Sequence, residues 1–202
     1  MIIKLSSYYW GVKDTSVNFC EEAYKESEYI AEYYNTLSGT LYIFIGLPFL
    51  NTNINNIALC TIFLGIGTIL LHMTQRKYGQ LLDESSMICL CYSILSNIRK
   101  KTYKEKYITP MLIFYFLNHE NFIVFFILFT VLILLLTYES LNEKKKKNKF
   151  YVNLFIYSMS SGTVFWILDQ KLCSLVQLYQ LHAFWHITTS ISIYCGLKIL
   201  HG

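Results

Sequence analysis

Apolar runs separated by short polar stretches dominate the chain. Seven of them, residues 29–50, 57–73, 83–98, 107–117, 121–138, 150–168 and 180–200, come near the ~20 residues that a helix needs to cross a bilayer. The fourth is the shortest and shares a long aromatic stretch with the fifth; without it the topology loses its parity. The pattern predicts an all-α fold, a polytopic membrane protein built as a seven-transmembrane helix bundle. The whole chain, residues 1–202, reads as a single domain with no internal repeat.

Composition agrees with lipid as the main solvent. Hydrophobic residues make up 54% of the chain and aromatics 17%, with a mean hydropathy of +0.38, more than one soluble core of this length requires. The net charge of +4 is small, and the basic residues gather in two clusters, residues 99–106 and 144–149. Both clusters flank apolar runs and neither belongs to a nucleic-acid-binding motif, so they read as juxtamembrane loops and no nucleic-acid partner is expected. The lysine and asparagine tract at 142–149 reads as a solvated loop. Residues 1–10 lack the basic and apolar regions of a secretory signal, which leaves insertion to the first span.

Charge also orients the bundle. With seven spans, one face carries Arg99, Lys100, Lys101, Lys104, Lys106, Lys144, Lys145, Lys146, Lys147 and Lys149. The other carries Lys4, Lys13, Lys25, Arg76, Lys77 and Lys171. Basic residues are retained on the cytoplasmic side of short loops, which predicts a lumenal amino terminus and a cytoplasmic carboxyl terminus. Cys60, Cys89, Cys91 and Cys195 lie inside apolar runs and read as small hydrophobes. Cys20 and Cys173 fall together on the non-cytoplasmic face, where oxidation is open to them; on topology alone, a disulfide and two free thiols both stand.

Polar groups inside apolar spans are costly and call for a partner or a function. Glu32 and Asn35 lie in the first span, Thr68 and His72 in the second, Asp83 opens the third, and His182 and His186 open the seventh. The four-residue spacing of His182 and His186 projects both rings from one helix face, and the same spacing sets Thr68 one turn before His72. Spans two, three and seven meet the same membrane face, so His72, Asp83, His182 and His186 converge at one depth. Each histidine alone reads equally well as a hydrogen-bonded helix residue, and His119 and His201 read as solvated. Three histidines with an open fourth position are instead the ligand set of a catalytic zinc ion, which lowers the pKa of its water toward ~7. Asp83 is the candidate general base and acid, and Thr68 the candidate donor to an oxyanion.

Several separated motifs resemble the alkaline ceramidases. They are Tyr9-Trp10-Gly11, Asn18-Phe19-Cys20-Glu21-Glu22-Ala23-Tyr24 and Ile30-Ala31-Glu32-Tyr33-Tyr34-Asn35-Thr36-Leu37-Ser38, then His72-Met73-Thr74 with Gln80-Leu81-Leu82-Asp83-Glu84. Phe165-Trp166-Ile167-Leu168-Asp169 with Cys173, and His182-Ala183-Phe184-Trp185-His186, complete the set. From about residue 90 to 159 only hydrophobicity matches. The resemblance implies an intramembrane amidase that cleaves the N-acyl bond of ceramide to a sphingoid base and a fatty acid. It implies zinc on His72, His182 and His186, Asp83 at the zinc-bound water, and a disulfide between Cys20 and Cys173. It also implies an endoplasmic reticulum or Golgi membrane, and the chain reads as a monomer whose partners are ceramide-type lipid and the surrounding bilayer.

The chain departs from that pattern in three respects. The oxyanion serine becomes Thr68, whose rotamer is stiffer. The calcium site of the family maps to Asn18, the Phe19 carbonyl, Glu21, Ala23 and Glu32, but an aspartate is replaced at Asn18 and an asparagine at Ala23. Calcium seeks six to eight oxygens, several of them carboxylate, so that site is weakened. The chain is also shorter, with almost no tail after the last span. These departures leave a second reading, a non-catalytic or receptor-like seven-helix protein of the adiponectin-receptor-like superfamily. A third, a polar-solute transporter using Glu32 and Asp83, lacks the inverted repeat or broken helices expected of one.

Overall fold

The computed structural model describes residues 9–99, 104–143 and 149–201. Parts of both basic clusters, including Lys100, Lys101 and Lys144 to Lys147, lie outside the described residues, as do Lys4 and most of the first ten residues. Among the described residues every regular element is helical. The α-helices are α1 (Tyr33–Gly46), α2 (Asn55–Thr74), α3 (Lys77–Ile98), α4 (Ile108–Leu117), α5 (Phe122–Glu143), α6 (Lys149–Lys171), α7 (Cys173–Val176) and α8 (Leu181–His201).

Among the described residues the α-helices number eight: one lies in each of the seven apolar runs, and the four-residue α7 forms between α6 and α8. Among the described residues, three helices are long and apolar enough to cross a membrane: Asn55–Thr74, Phe122–Asn142 and Lys149–Lys171. α1, with 14 residues, and α4, with 10, fall short of that length. Large apolar side chains nonetheless stand exposed on several helices, among them Phe44, Phe63, Leu134, Val164 and Ile191. An apolar surface of this extent belongs against lipid.

The first apolar run begins at Tyr29, yet its helix begins only at Tyr33. Residues before it are held extended: the backbone N–H groups of Ala31 and Glu32 donate to the carbonyls of Met73 and His72, each at 2.9 Å. The Glu21 carboxylate then accepts the N–H groups of Tyr34 and Asn35 at 2.8 and 2.9 Å, satisfying donors that a helix start leaves free. The third run differs in the opposite sense. Its helix starts at Lys77, before the expected Asp83, because Gln80 is buried against Ser16 of the amino-terminal segment and Glu84 against Gln80 and Tyr115 rather than solvated.

Helices α2 and α3 cross at backbone contact. A Cβ on Gly67 would lie 2.5 Å from the Asp83 nitrogen, and one on Gly79 would lie 2.5 Å from the Leu71 nitrogen. Small residues of this kind let membrane helices approach closely. The chain of residues 9–32 lies over this crossing. Ser16 and Gln80 exchange two hydrogen bonds at 2.8 and 2.6 Å, Arg76 pairs with Asp14 at 2.9 Å, and the Cys20 N–H donates to Asp169 of α6 at 3.3 Å.

Candidate metal centre

His72, near the end of α2, and His182 and His186, in the opening turns of α8, point into one space. One ligand atom from each lies within 4.8 Å of the others. The rings are 1%, 4% and 3% exposed, so their nitrogens need partners inside the protein. Glu32 Oε2 faces His72 Nδ1 at 2.5 Å, and the Ser38 hydroxyl faces His186 Nδ1 at 2.8 Å. Each contact leaves the opposite ring nitrogen for the centre. A carboxylate behind a ligating imidazole fixes its tautomer and raises its basicity.

His182 Nδ1 is buried and has no hydrogen-bond partner among the described residues. A buried ring nitrogen without a partner is costly in a site this dry, and the close approach of the three imidazoles offers a cation one donor nitrogen from each. The all-imidazole donor set suits zinc and its neighbours among divalent metals. On these grounds the residues fit a metal ion. Phe19 covers them, its ring centre 4.5 Å from that of His72 and 4.2 Å from that of His182.

Asp83 and Thr68, predicted from sequence, meet side by side, with Thr68 Oγ1 2.5 Å from Asp83 Oδ1. Thr68 Oγ1 also lies 2.8 Å from the Leu64 carbonyl. One hydroxyl proton cannot serve both acceptors at once, so Thr68 donates to Asp83 when that carboxylate is charged and is free to donate to Leu64 when Asp83 carries a proton. Both residues line a cavity of about 480 Å³ together with His182 and His186. Its opposite walls are apolar, built from Phe125, Phe129, Ile133, Leu136, Met159 and Ile193. The cavity thus joins the polar groups of the site to mainly hydrocarbon walls.

The side-chain oxygens assigned to calcium are engaged with other partners. Lys13 Nζ donates to Asn18 Oδ1 at 2.7 Å. Both Glu21 oxygens take backbone N–H groups, and Glu32 accepts from Gln75 and Asn35 while facing His72. Ala23 supplies no side-chain oxygen. The donor set does not fit a dication that seeks six to eight oxygens. Cys20 and Cys173 are disulfide-bonded, with Cα atoms 5.3 Å apart, and so anchor the segment that carries Phe19.

Sequence reasoning gave no role to Ser38, Tyr42 or Gln75. Tyr42 lines the cavity, bonds Thr189 of α8 at 2.6 Å and packs edge-on to His186. One signal was present: Glu32, Asn35, Ser38 and Tyr42 recur at helical spacing on a single face, and all four are buried.

Fold and site together define an all-helical membrane protein with three buried imidazoles arranged to share a metal ion. The chain belongs to the Ceramidase family, whose profile matches residues 11–201. It is similar to alkaline ceramidase 1 of Mus musculus, at 26% identity across 96% of this chain and 81% of the relative. It is also similar to the alkaline ceramidases of Arabidopsis thaliana, at 24% identity across 96% and 86%, and of Drosophila melanogaster, at 26% across 91% and 75%.

Proposed function

We propose that the chain is a zinc-dependent intramembrane ceramidase that hydrolyses the N-acyl amide of a ceramide-type lipid to a sphingoid base and a free fatty acid. The observation that carries this reading is the position of three buried imidazoles at the polar end of an apolar cavity. A lipid amide needs both features: a polar reaction centre and a dry channel for its chains.

His72, His182 and His186 are the metal ligands. Zinc held there would supply a polarised water and a Lewis acid for the amide carbonyl. Asp83 accepts a proton from the attacking water and returns it to the departing nitrogen. Thr68 holds the Asp83 carboxyl in place and offers its hydroxyl to the developing oxyanion when Asp83 carries the proton. Phe19 and Val17 close the centre on the aqueous side, and the walls formed by α5 and α6 keep the acyl and sphingoid chains out of water.

The single domain of residues 1–202 crosses the membrane seven times as a monomer, with α1 to α6 and α8 as the spans and the amino terminus lumenal. The exposed apolar side chains on α1 and α8 support spans beyond the three longest apolar helices. Endoplasmic reticulum or Golgi membrane is the compartment that the alkaline ceramidase resemblance favours.

The test is direct. Purified zinc-loaded protein in lipid nanodiscs is incubated with ceramides of several chain lengths across a wide pH range, and released sphingoid base is quantified. Turnover that disappears in His186→Ala is expected; protein that binds zinc yet releases no base from any ceramide rules the reading out.

A further inference from the structure

Besides Asp83, one further carboxylate lines the cavity. Glu84 follows Asp83 on α3 and is 3% exposed. Its Oε1 accepts the Gln80 side-chain amide at 2.7 Å, and its Oε2 accepts the Tyr115 hydroxyl at 2.8 Å. Both donors are themselves fixed. Tyr115 is fully buried on α4. Gln80 gives an amide proton to the Ser16 hydroxyl at 2.6 Å, and its carbonyl oxygen takes the Ser16 N–H at 2.8 Å.

These bonds orient the carboxylate without filling it. A carboxylate offers about four lone-pair sites, and the Gln80 and Tyr115 donors occupy one on each oxygen. Both of those donors are neutral, and a carboxylate held this way in a mainly apolar wall is costly as packing alone. What the arrangement provides is an acceptor already set in position for a donor on the ligand. The proposed reaction brings such a donor within reach. Asp83 returns a proton to the departing nitrogen, so the amine half of the lipid lies toward α3. In a ceramide-type lipid, hydroxyl groups sit on the carbons that flank the nitrogen-bearing carbon. Neighbouring Cα atoms are about 3.8 Å apart, comparable with the three-bond span from that nitrogen to either hydroxyl oxygen.

We propose, resting on the ceramidase reading above, that Glu84 is the specificity-determining acceptor for a hydroxyl on the amine half of the substrate, with Tyr115 and Gln80 as its positioning residues. A site built to bond a hydroxyl rejects the analogue that lacks it far more strongly than an apolar pocket rejects a missing methylene, because its own polar group is left unpaired. Glu84 thereby selects hydroxylated amides over plain fatty amides, which the hydrocarbon walls accept equally well.

The experiment gives the zinc-loaded full chain in nanodiscs an equal mixture of ceramide, an analogue lacking the primary hydroxyl and an analogue lacking the secondary hydroxyl. The released bases are separated by mass spectrometry, so their ratio reads relative kcat/KM directly. Wild-type protein is expected to favour ceramide over at least one analogue by about tenfold or more. Glu84→Gln keeps the shape and the bonds to Gln80 and Tyr115 but replaces one acceptor oxygen by an amide, and is expected to reduce that preference by about fivefold or more. Tyr115→Phe is expected to give an intermediate preference. A purely structural role for Glu84 would slow all three substrates alike and leave the ratio unchanged, which overturns the proposal. Wild-type protein that cleaves the three equally also overturns it, while leaving the ceramidase reading intact. Release of base from none of the three overturns that reading and this proposal with it.

Discussion

Glu32 holds His72 through both its side chain and its backbone: Oε2 lies 2.5 Å from Nδ1, and the Glu32 N–H donates to the His72 carbonyl at 2.9 Å. The pair joins the start of α1 to the end of α2, with Gln75 bonding the second carboxylate oxygen at 2.7 Å. Metal ligands oriented in this way commonly lose about 10- to 100-fold in metal affinity when the outer partner is changed. Glu32→Gln is therefore expected to weaken zinc binding by about that factor, measured by competition with a chelating dye. Unchanged affinity would show that the carboxylate does not orient the ring.

The short contact between Thr68 and Asp83 sets up a second prediction. Asp83→Asn keeps the shape of the side chain and removes the proton acceptor, so kcat is expected to fall by about 10²- to 10⁴-fold while bound zinc stays at the wild-type level. Thr68→Ser keeps the hydroxyl and is expected to retain activity. Thr68→Val keeps the branched shape without the hydroxyl and is expected to lose much of it. Equal kcat values for Thr68→Val and wild type would remove Thr68 from the mechanism.

Much of the site was legible in the chain because parity does the work of geometry in a membrane protein. The count of spans put His72, Asp83, His182 and His186 at one depth, and the three imidazoles do lie close together. The limits of α1 were not legible, since what delays its start is tertiary: the Ala31 and Glu32 N–H groups bond the end of α2. Ser38 was harder to read. A hydroxyl in an apolar helix often bonds only its own backbone, as Thr61 bonds the Ile57 carbonyl, and only its place on the face shared by Glu32, Asn35 and Tyr42 marks Ser38 as different. The four-residue α7 is far too short for a span, so a search for apolar runs passes over it.

The crossing of α2 and α3 offers a test of how closely Asp83 is positioned. A methyl group at Gly67 meets the Asp83 nitrogen at 2.5 Å and the Asp83 Cα at 2.7 Å, both backbone atoms that cannot rotate away. Gly67→Ala should cost about 1–3 kcal/mol through overpacking. It should also reduce kcat at temperatures well below the unfolding midpoint, because Asp83 is displaced from Thr68. Gly196→Ala is the matched control: no atom lies within 4 Å of its added methyl, so it should stabilise α8 by about 0.5–1 kcal/mol and leave kcat alone. Similar behaviour of the two variants would mean that the helices separate freely.

The disulfide between Cys20 and Cys173 closes a sequence separation of 153 residues, and it lies next to the ring that covers the metal site. Phe19 is the neighbouring residue, and the Cys20 N–H is itself directed at Asp169. Removing a native disulfide commonly costs about 2–5 kcal/mol, with two consequences expected here. Reductant should lower the wild-type unfolding midpoint and speed zinc release to a chelating dye, because Phe19 is no longer pinned over His72 and His182. Cys20→Ser, Cys173→Ser and the double variant should all behave alike, and none should respond further to reductant, since the two cysteines act as one unit. A double variant markedly less stable than either single would assign the cysteines separate packing roles. Zinc release indifferent to reductant would separate the disulfide from the cover over the site.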